Sequence, residues 1–222
     1  MTPTTFEAID TFFARWLLPA DDALDRALEQ SAEAGLPAIH VAPNQGKLLM
    51  LLARAMGARR ILEVGTLGGY STIWLGRALP EGGQLITLER EAKHAEVART
   101  NLERAGLMGR VELREGPALE TLPQLEAEGG APFDLCFIDA DKPSNPDYFH
   151  WALRLSRVGS VIIVDNVVRG GAVVSEASDD PRVRGVRALL DLVAAEPRVD
   201  ATVLQTVGSK GHDGWLVALV VG

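Results

Sequence analysis

Two apolar runs in this 222-residue sequence stop abruptly in groups that do chemistry. Phe137-Ile138 is followed by Asp139-Ala140-Asp141-Lys142, and Val161-Ile162-Ile163-Val164 is followed by Asp165-Asn166. Each reads as the carboxyl end of a strand, which is where open α/β sheets bind ligands. If the two strands are neighbours, Asp139, Asp165 and Asn166 converge as three oxygen donors. Oxygen ligation without Cys or His suits a hard cation, Mg²⁺ first, with Mn²⁺ or Ca²⁺ as alternatives. Asx turns at strand ends would explain one such acid. They explain two clusters on successive strands poorly, and leave Lys142 unaccounted for.

A second patch, Ile61-Leu62-Glu63-Val64-Gly65-Thr66-Leu67-Gly68-Gly69-Tyr70-Ser71, ends a strand and opens a helix. Glycines there permit a tight turn and close approach of a ligand, and helix N-terminal amides offer hydrogen bonds. The spacing is not the Gly-x-Gly-x-x-Gly of dinucleotide sites, which disfavours a nicotinamide dehydrogenase. Glu63 is costly to bury without partners, and could accept from a ligand amine or from turn amides. Glu89 closes the next strand, where an acid commonly holds both hydroxyls of a ribose. The plainer role for Glu89 and Glu91 is to cap the following helix.

The elements that must position these groups follow from periodicity. Strands are expected at 60–64, 84–88, 111–114, 133–139, 160–164, 201–206 and 215–221. Helices alternate with them at 70–79, 91–105, 118–126, 145–155 and 181–195, the pattern of βα units and a largely parallel sheet. The last two strands have only a turn-rich connection at 207–214 and are expected to form an antiparallel hairpin. Ahead of the sheet, Phe6, Ile9, Phe12, Phe13, Trp16 and Leu17 recur at helical spacing. A second helix is expected after Pro19, with Asp21 and Asp22 near its start, and a third at 44–56. No repeat or long linker divides the chain, so one α/β domain over 1–222 is expected, with 1–40 as a helical extension.

With both patches in hand, the chain resembles the cation-dependent O-methyltransferases that use S-adenosylmethionine, the group of catechol and caffeoyl-CoA O-methyltransferases. The resemblance runs from Val41 onward and rests on the Glu63–Ser71 turn, Asp139-Ala140-Asp141-Lys142, Asp165-Asn166 and the Lys210-Gly211-His212-Asp213-Gly214 turn. It implies a seven-stranded, Rossmann-like class I methyltransferase sheet, and a homodimer. It implies that Glu63, Gly65, Thr66 and Ser71 line the methionine end of the cofactor, with Val41 in backbone contact. Glu89 would hold the ribose, and Ala118 would lie by the adenine. Asp139, Asp165 and Asn166 match the metal ligands, and Asp139 and Asp141 match cofactor contacts. Lys142 matches the general base, beside Asp139. The acceptor implied is a small aromatic molecule with vicinal hydroxyls. Chelation by the cation would ease loss of a phenolic proton, and Lys142 in its neutral form would accept it. A metal-independent methyltransferase and a cofactor-binding module without turnover are the alternatives.

The resemblance leaves specificity to the N-terminal helices and the loop 167–181, where Asp179-Asp180 most simply start a helix before Pro181. His212 reads as a surface turn residue, and Trp16, Trp151 and Trp215 as core or interface residues. Composition bounds the rest. With 22 basic and 30 acidic residues, a net charge of −8 argues against a nucleic-acid partner. Only four of the basic residues are lysines (Lys47, Lys93, Lys142 and Lys210), so one at a strand end stands out. The single cysteine, Cys136, excludes an internal disulfide and a cysteine-rich zinc site, and reads as a buried thiol. The N-terminus lacks a basic n-region, and no apolar run approaches the ~20 residues that span a bilayer. A cytoplasmic protein with no membrane partner is expected.

Overall fold

The structure, a computed structural model, describes residues 3–222. Three helices come first, α1 (Pro3–Leu17), α2 (Asp22–Glu33) and α3 (Pro43–Ala55). Then β1 (Arg60–Val64), α4 (Tyr70–Gly76), β2 (Gln84–Glu89), α5 (Ala92–Arg104), β3 (Val111–Glu115), α6 (Ala118–Ala127) and β4 (Phe133–Ile138) alternate. A 3₁₀ turn at Lys142–Ser144 leads into α7 (Asn145–Arg154) and β5 (Ser156–Asp165). A second 3₁₀ segment, Arg169–Val174, precedes α8 (Pro181–Ala195), β6 (Val199–Gly208) and β7 (Gly211–Val220).

The seven strands form one sheet in the order β3-β2-β1-β4-β5-β7-β6. β1 to β5 are parallel; β7 runs antiparallel to both β5 and β6. Strand order reverses between β1 and β4, and a crevice opens beyond the carboxyl ends of strands at such a point. Central strands with helices on both faces must be apolar on both, and β4, Phe-Asp-Leu-Cys-Phe-Ile, is buried at every position. One core lies between the sheet and α6, α7 and α8, built around Leu62, Val64, Phe149, Ile162 and Val186. The other, with Leu49, Ile61, Ile73, Leu102 and Phe137, packs the opposite face under α2 to α5. Cys136 is buried as expected, its thiol pushed up to about 12 by burial.

The elements differ from expectation mainly at the end of the chain. The last two strands form the expected antiparallel hairpin, but most of 207–214 belongs to the strands. β6 continues to Gly208, β7 begins at Gly211, and only Ser209 and Lys210 connect them. The glycines that suggested a loop serve other ends. Gly211 takes φ +86°, and a Cβ at Gly214 would lie 2.6 Å from Leu204 O and 2.6 Å from a Val168 methyl. α4 is also shorter than expected, closing at Gly76. Asp21 caps α2 by accepting from the N–H groups of Ala23 and Leu24, each at 3.1 Å. Asp180 caps α8 through Arg182 N–H at 2.8 Å. Among the described residues no helix is long and apolar enough to cross a membrane.

Candidate active site

The turn after β1 is shaped by close approach. At Gly65 the backbone takes φ +98°, and a Cβ there would stand 2.1 Å from the Asp139 carbonyl oxygen. Gly65 N–H donates to Leu88 O at 3.0 Å, and Asp139 N–H donates to Val64 O at 2.9 Å. The ends of β1, β2 and β4 are thereby laced together, and no side chain larger than hydrogen fits the seam.

Glu89 organises the same turn from the next strand. Its Oε2 accepts from the N–H groups of Thr66 (3.2 Å) and Leu67 (2.7 Å), and its Oε1 from Glu91 N–H (2.9 Å). His94 Nδ1 lies 3.5 Å from Oε1. Glu89 therefore does hold the start of α5, and it also borders the cavity described below. Glu63 is placed differently from the expectation. It is fully buried and is not among the residues lining the cavity. Strand alternation turns it, with Ile61, toward α4, where it accepts from Ser71 Oγ (2.6 Å), Thr72 Oγ1 (2.5 Å) and Thr87 Oγ1 (2.7 Å). Burial pushes its carboxyl up to about 7 despite the three hydroxyls, and the nearby Asp139 charge adds to the rise. It braces the turn from beneath.

At the end of β4, Lys142 Nζ donates to Asp139 Oδ1 at 2.8 Å, and the lysine side chain is only 8% exposed. Asp141 points the other way and accepts from Ser144 Oγ and Tyr148 OH, both at 2.6 Å. Burial works to raise the Asp141 carboxyl, but those two hydrogen bonds together with backbone N–H groups outweigh it and hold it below the usual range. At the end of β5, Asp165 is buried, and Asn166 follows it in the left-handed region at φ +59°. Asp165 Oδ1 accepts from Asn166 N–H at 2.6 Å. Burial, then the like charge of Asp139, push the Asp165 carboxyl up to about 8, against the pull of Lys142.

One cavity of about 630 Å³ gathers these pieces. Val41, Gly65, Thr66, Ser71, Glu89 and Ala118 line it, as do Asp139, Asp141, Lys142 and Asn166. Of the expected site residues, only Glu63 and Asp165 stand behind its wall. His212 is outside it, on β7, with Nε2 2.8 Å from Gln205 Oε1. Trp215 is buried against Phe137, Trp16 is exposed on α1, and Trp151 stacks under Arg154.

Other lining residues were missed by sequence reasoning. His40 lies at the rim, its ring 5.5 Å from that of Tyr70, and Lys210 Nζ is 3.3 Å from its Nε2. Burial, aided by the Lys210 charge, pushes His40 down to about 4, so it is neutral at ordinary pH. Tyr148, Arg169 and Arg182 also border the cavity. Only Arg182, directly after the Asp180-Pro181 helix start, carried any local signal.

The residues fit the groups that such a cavity would hold. Among the described residues no three His, Cys, Asp or Glu side chains cluster as a metal site. The set here is instead two interacting carboxylates and an amide, Asp139, Asp165 and Asn166. Burial first, and then the charge of Asp139, disfavour the ionised form of Asp165, and a hard cation between the two acids would offset both. At the other end, Glu89 and Asp141 offer carboxylate oxygens beside the apolar Leu88, Pro117 and Leu119, a lining suited to a cationic nucleoside.

A doubly wound sheet ending in an antiparallel pair, with a glycine turn at its reversal point, defines the class I methyltransferase architecture. The O-methyltransferase family model matches residues 20–215. The chain belongs to the O-methyltransferase family. It is 53% identical over 220 residues to the catechol O-methyltransferase of Niastella koreensis, covering 99% of this chain and 100% of that protein. The crystal structure of the O-methyltransferase from Bacillus cereus in complex with SAH superposes with a TM-score of 0.98 at 57% identity, covering 99% of this chain and 100% of that one. TomG of Streptomyces achromogenes, an O-methyltransferase involved in tomaymycin synthesis and solved in complex with SAM, gives 0.97 at 50% identity, covering 100% of both chains.

Proposed function

We propose that this protein transfers a methyl group from S-adenosylmethionine to one hydroxyl of a vicinal dihydroxy aromatic molecule, with a divalent cation, Mg²⁺ first, held at Asp139, Asp165 and Asn166. One observation carries the reading: a single cavity is lined at once by the Gly65 turn with Glu89 and by Asp139, Lys142 and Asn166. The catechol O-methyltransferase name of the Niastella koreensis relative and the SAM bound to TomG support it.

S-adenosylmethionine supplies a methyl group already activated on a sulfonium. The protein's part is therefore alignment and deprotonation. Glu89, its oxygens oriented by three backbone N–H groups, accepts from the ribose hydroxyls, and Ala118 flanks the base. Thr66 and Ser71 border the methionine end, and Asp141, held by Ser144 and Tyr148, keeps negative charge nearby. A cation at the two aspartates would lower the pKa of a chelated phenol and orient it. Asp139 engaged in that way would no longer hold Lys142 Nζ, and the lysine, in its neutral form, would take the proton of the attacking hydroxyl.

The exposed apolar side chains of α1, Phe12, Phe13, Trp16 and Leu17, support the further reading that the chain works as a homodimer, testable by light scattering. The reaction is tested with labelled methyl donor and catechol on Lys142→Ala and Asp165→Ala. Both variants are expected to lose about 100-fold or more in kcat. Near-normal turnover in Lys142→Ala at neutral pH removes the base assignment, and in Asp165→Ala the cation site.

A further inference from the structure

The chemistry above leaves Arg169 in the cavity without a task. Arg169 lines it with Asn166, three residues before, and with Arg182. Its backbone is held at φ +56°, a conformation that arginine rarely adopts and that costs free energy. Asp213 enforces that geometry: its Oδ1 accepts from the N–H groups of Val168, Arg169 and Gly214, each at 3.0 Å. Arg187 Nη1, donating to Val173 O at 2.9 Å, fastens the far end of the same segment to α8.

The guanidinium at the end of this braced backbone is poorly satisfied. Among the described residues it makes no hydrogen bond; its ion pair is with Asp213 Oδ2 at 3.9 Å. Its Nε is buried without a partner. Arg182, by contrast, is closed on Asp180 through contacts of 3.0, 3.2 and 2.7 Å. Asp180 also feels the Arg169 charge, but its oxygens are taken.

We infer that Arg169 anchors an anionic substituent of the acceptor, so that the preferred substrate is a vicinal dihydroxy aromatic acid. A guanidinium presents a planar fork of donors that matches a carboxylate. A cavity of about 630 Å³ that must also take the methyl donor has room for a small acid. The inference rests on the proposed methyl transfer and names the substrate class for it.

The test compares three acceptors, 3,4-dihydroxybenzoate, its methyl ester and catechol, with wild type and with Arg169→Asn. Asn tolerates the left-handed backbone, so the loop is not forced to rearrange. Wild type is expected to favour the acid over the ester by about tenfold or more in kcat/KM, and Arg169→Asn to lose that ratio. The fraction methylated at each hydroxyl of the acid is expected to shift in the variant as well. Equal kcat/KM for acid and ester in wild type, with catechol turned over, overturns the inference alone and needs no variant. Retention of the acid preference in Arg169→Asn overturns the assignment to this residue. Methylation of none of the three overturns the inference and the proposed reaction together.

Discussion

Glu63→Gln is the perturbation whose size follows most directly from the structure. The wild-type carboxyl is fully buried beneath the glycine turn and is raised from 4.5 to about 7, chiefly by burial. A carboxyl with an elevated folded value is neutral, and favourable to folding, below its unfolded value. That contribution is lost as pH climbs through the folded value. Carrying the group from 4.5 to about 7 corresponds to about 3 kcal/mol, most of it lost between pH 5 and 8. For a chain of this size that is a fall of roughly 5–10 °C in Tm. The glutamine amide of the variant cannot ionise. It offers one acceptor oxygen to hydroxyls that now share two, so the variant carries a penalty of its own, but one that does not vary with pH. The assay is thermal unfolding of both proteins from pH 5 to 8, in EDTA and without cofactor so that ligand binding adds nothing. The difference, wild type minus Glu63→Gln, is expected to fall by roughly 5–10 °C across that range. A difference that is flat within about 2 °C, or that rises with pH, refutes the reasoning.

Two further substitutions probe the turn itself. Gly65→Ala forces a Cβ against the Asp139 carbonyl at a backbone conformation alanine avoids; a loss of at least about 3 kcal/mol and of S-adenosylmethionine binding is expected by thermal melting and calorimetry, and a Tm within about 2 °C of wild type contradicts it. Glu89→Ala deprives the N–H groups of Thr66, Leu67 and Glu91 of their acceptor, and is expected to weaken S-adenosylmethionine by about tenfold or more in calorimetry. Unchanged affinity would remove Glu89 from the cofactor site.

Much of this site could be read in one dimension because the strands of a parallel sheet announce their ends. An unbroken apolar run such as Leu135-Cys136-Phe137-Ile138 must be buried on both faces, so the first acid after it marks the rim, as Asp139 does. Depth and direction were harder. Glu63 and Asp165 are both next to the cavity in sequence terms, yet alternation and burial place them behind its wall. For Glu63 the missing signal was the set of hydroxyls that would claim it: Thr87, opposite it in the β1–β2 register, with Ser71 and Thr72 on the first turn of α4. The antiparallel hairpin was legible, but its connection at 207–214 was drawn too long because its glycines relieve close contacts, as at Gly214, rather than break strands. Tyr148, Arg169 and Arg182 reach the cavity from a helix face, an irregular segment and a helix start. No period in the chain links such positions to the strand ends they meet.

The proposed cation dependence is tested most directly by a single-turnover measurement: labelled methyl transfer from S-adenosylmethionine to catechol, first in excess EDTA, then with Mg²⁺ restored. Transfer that is about 100-fold slower or absent in EDTA, and recovers on adding Mg²⁺, is the expected result. Equal rates in both conditions would contradict the assignment of Asp139, Asp165 and Asn166 to a cation.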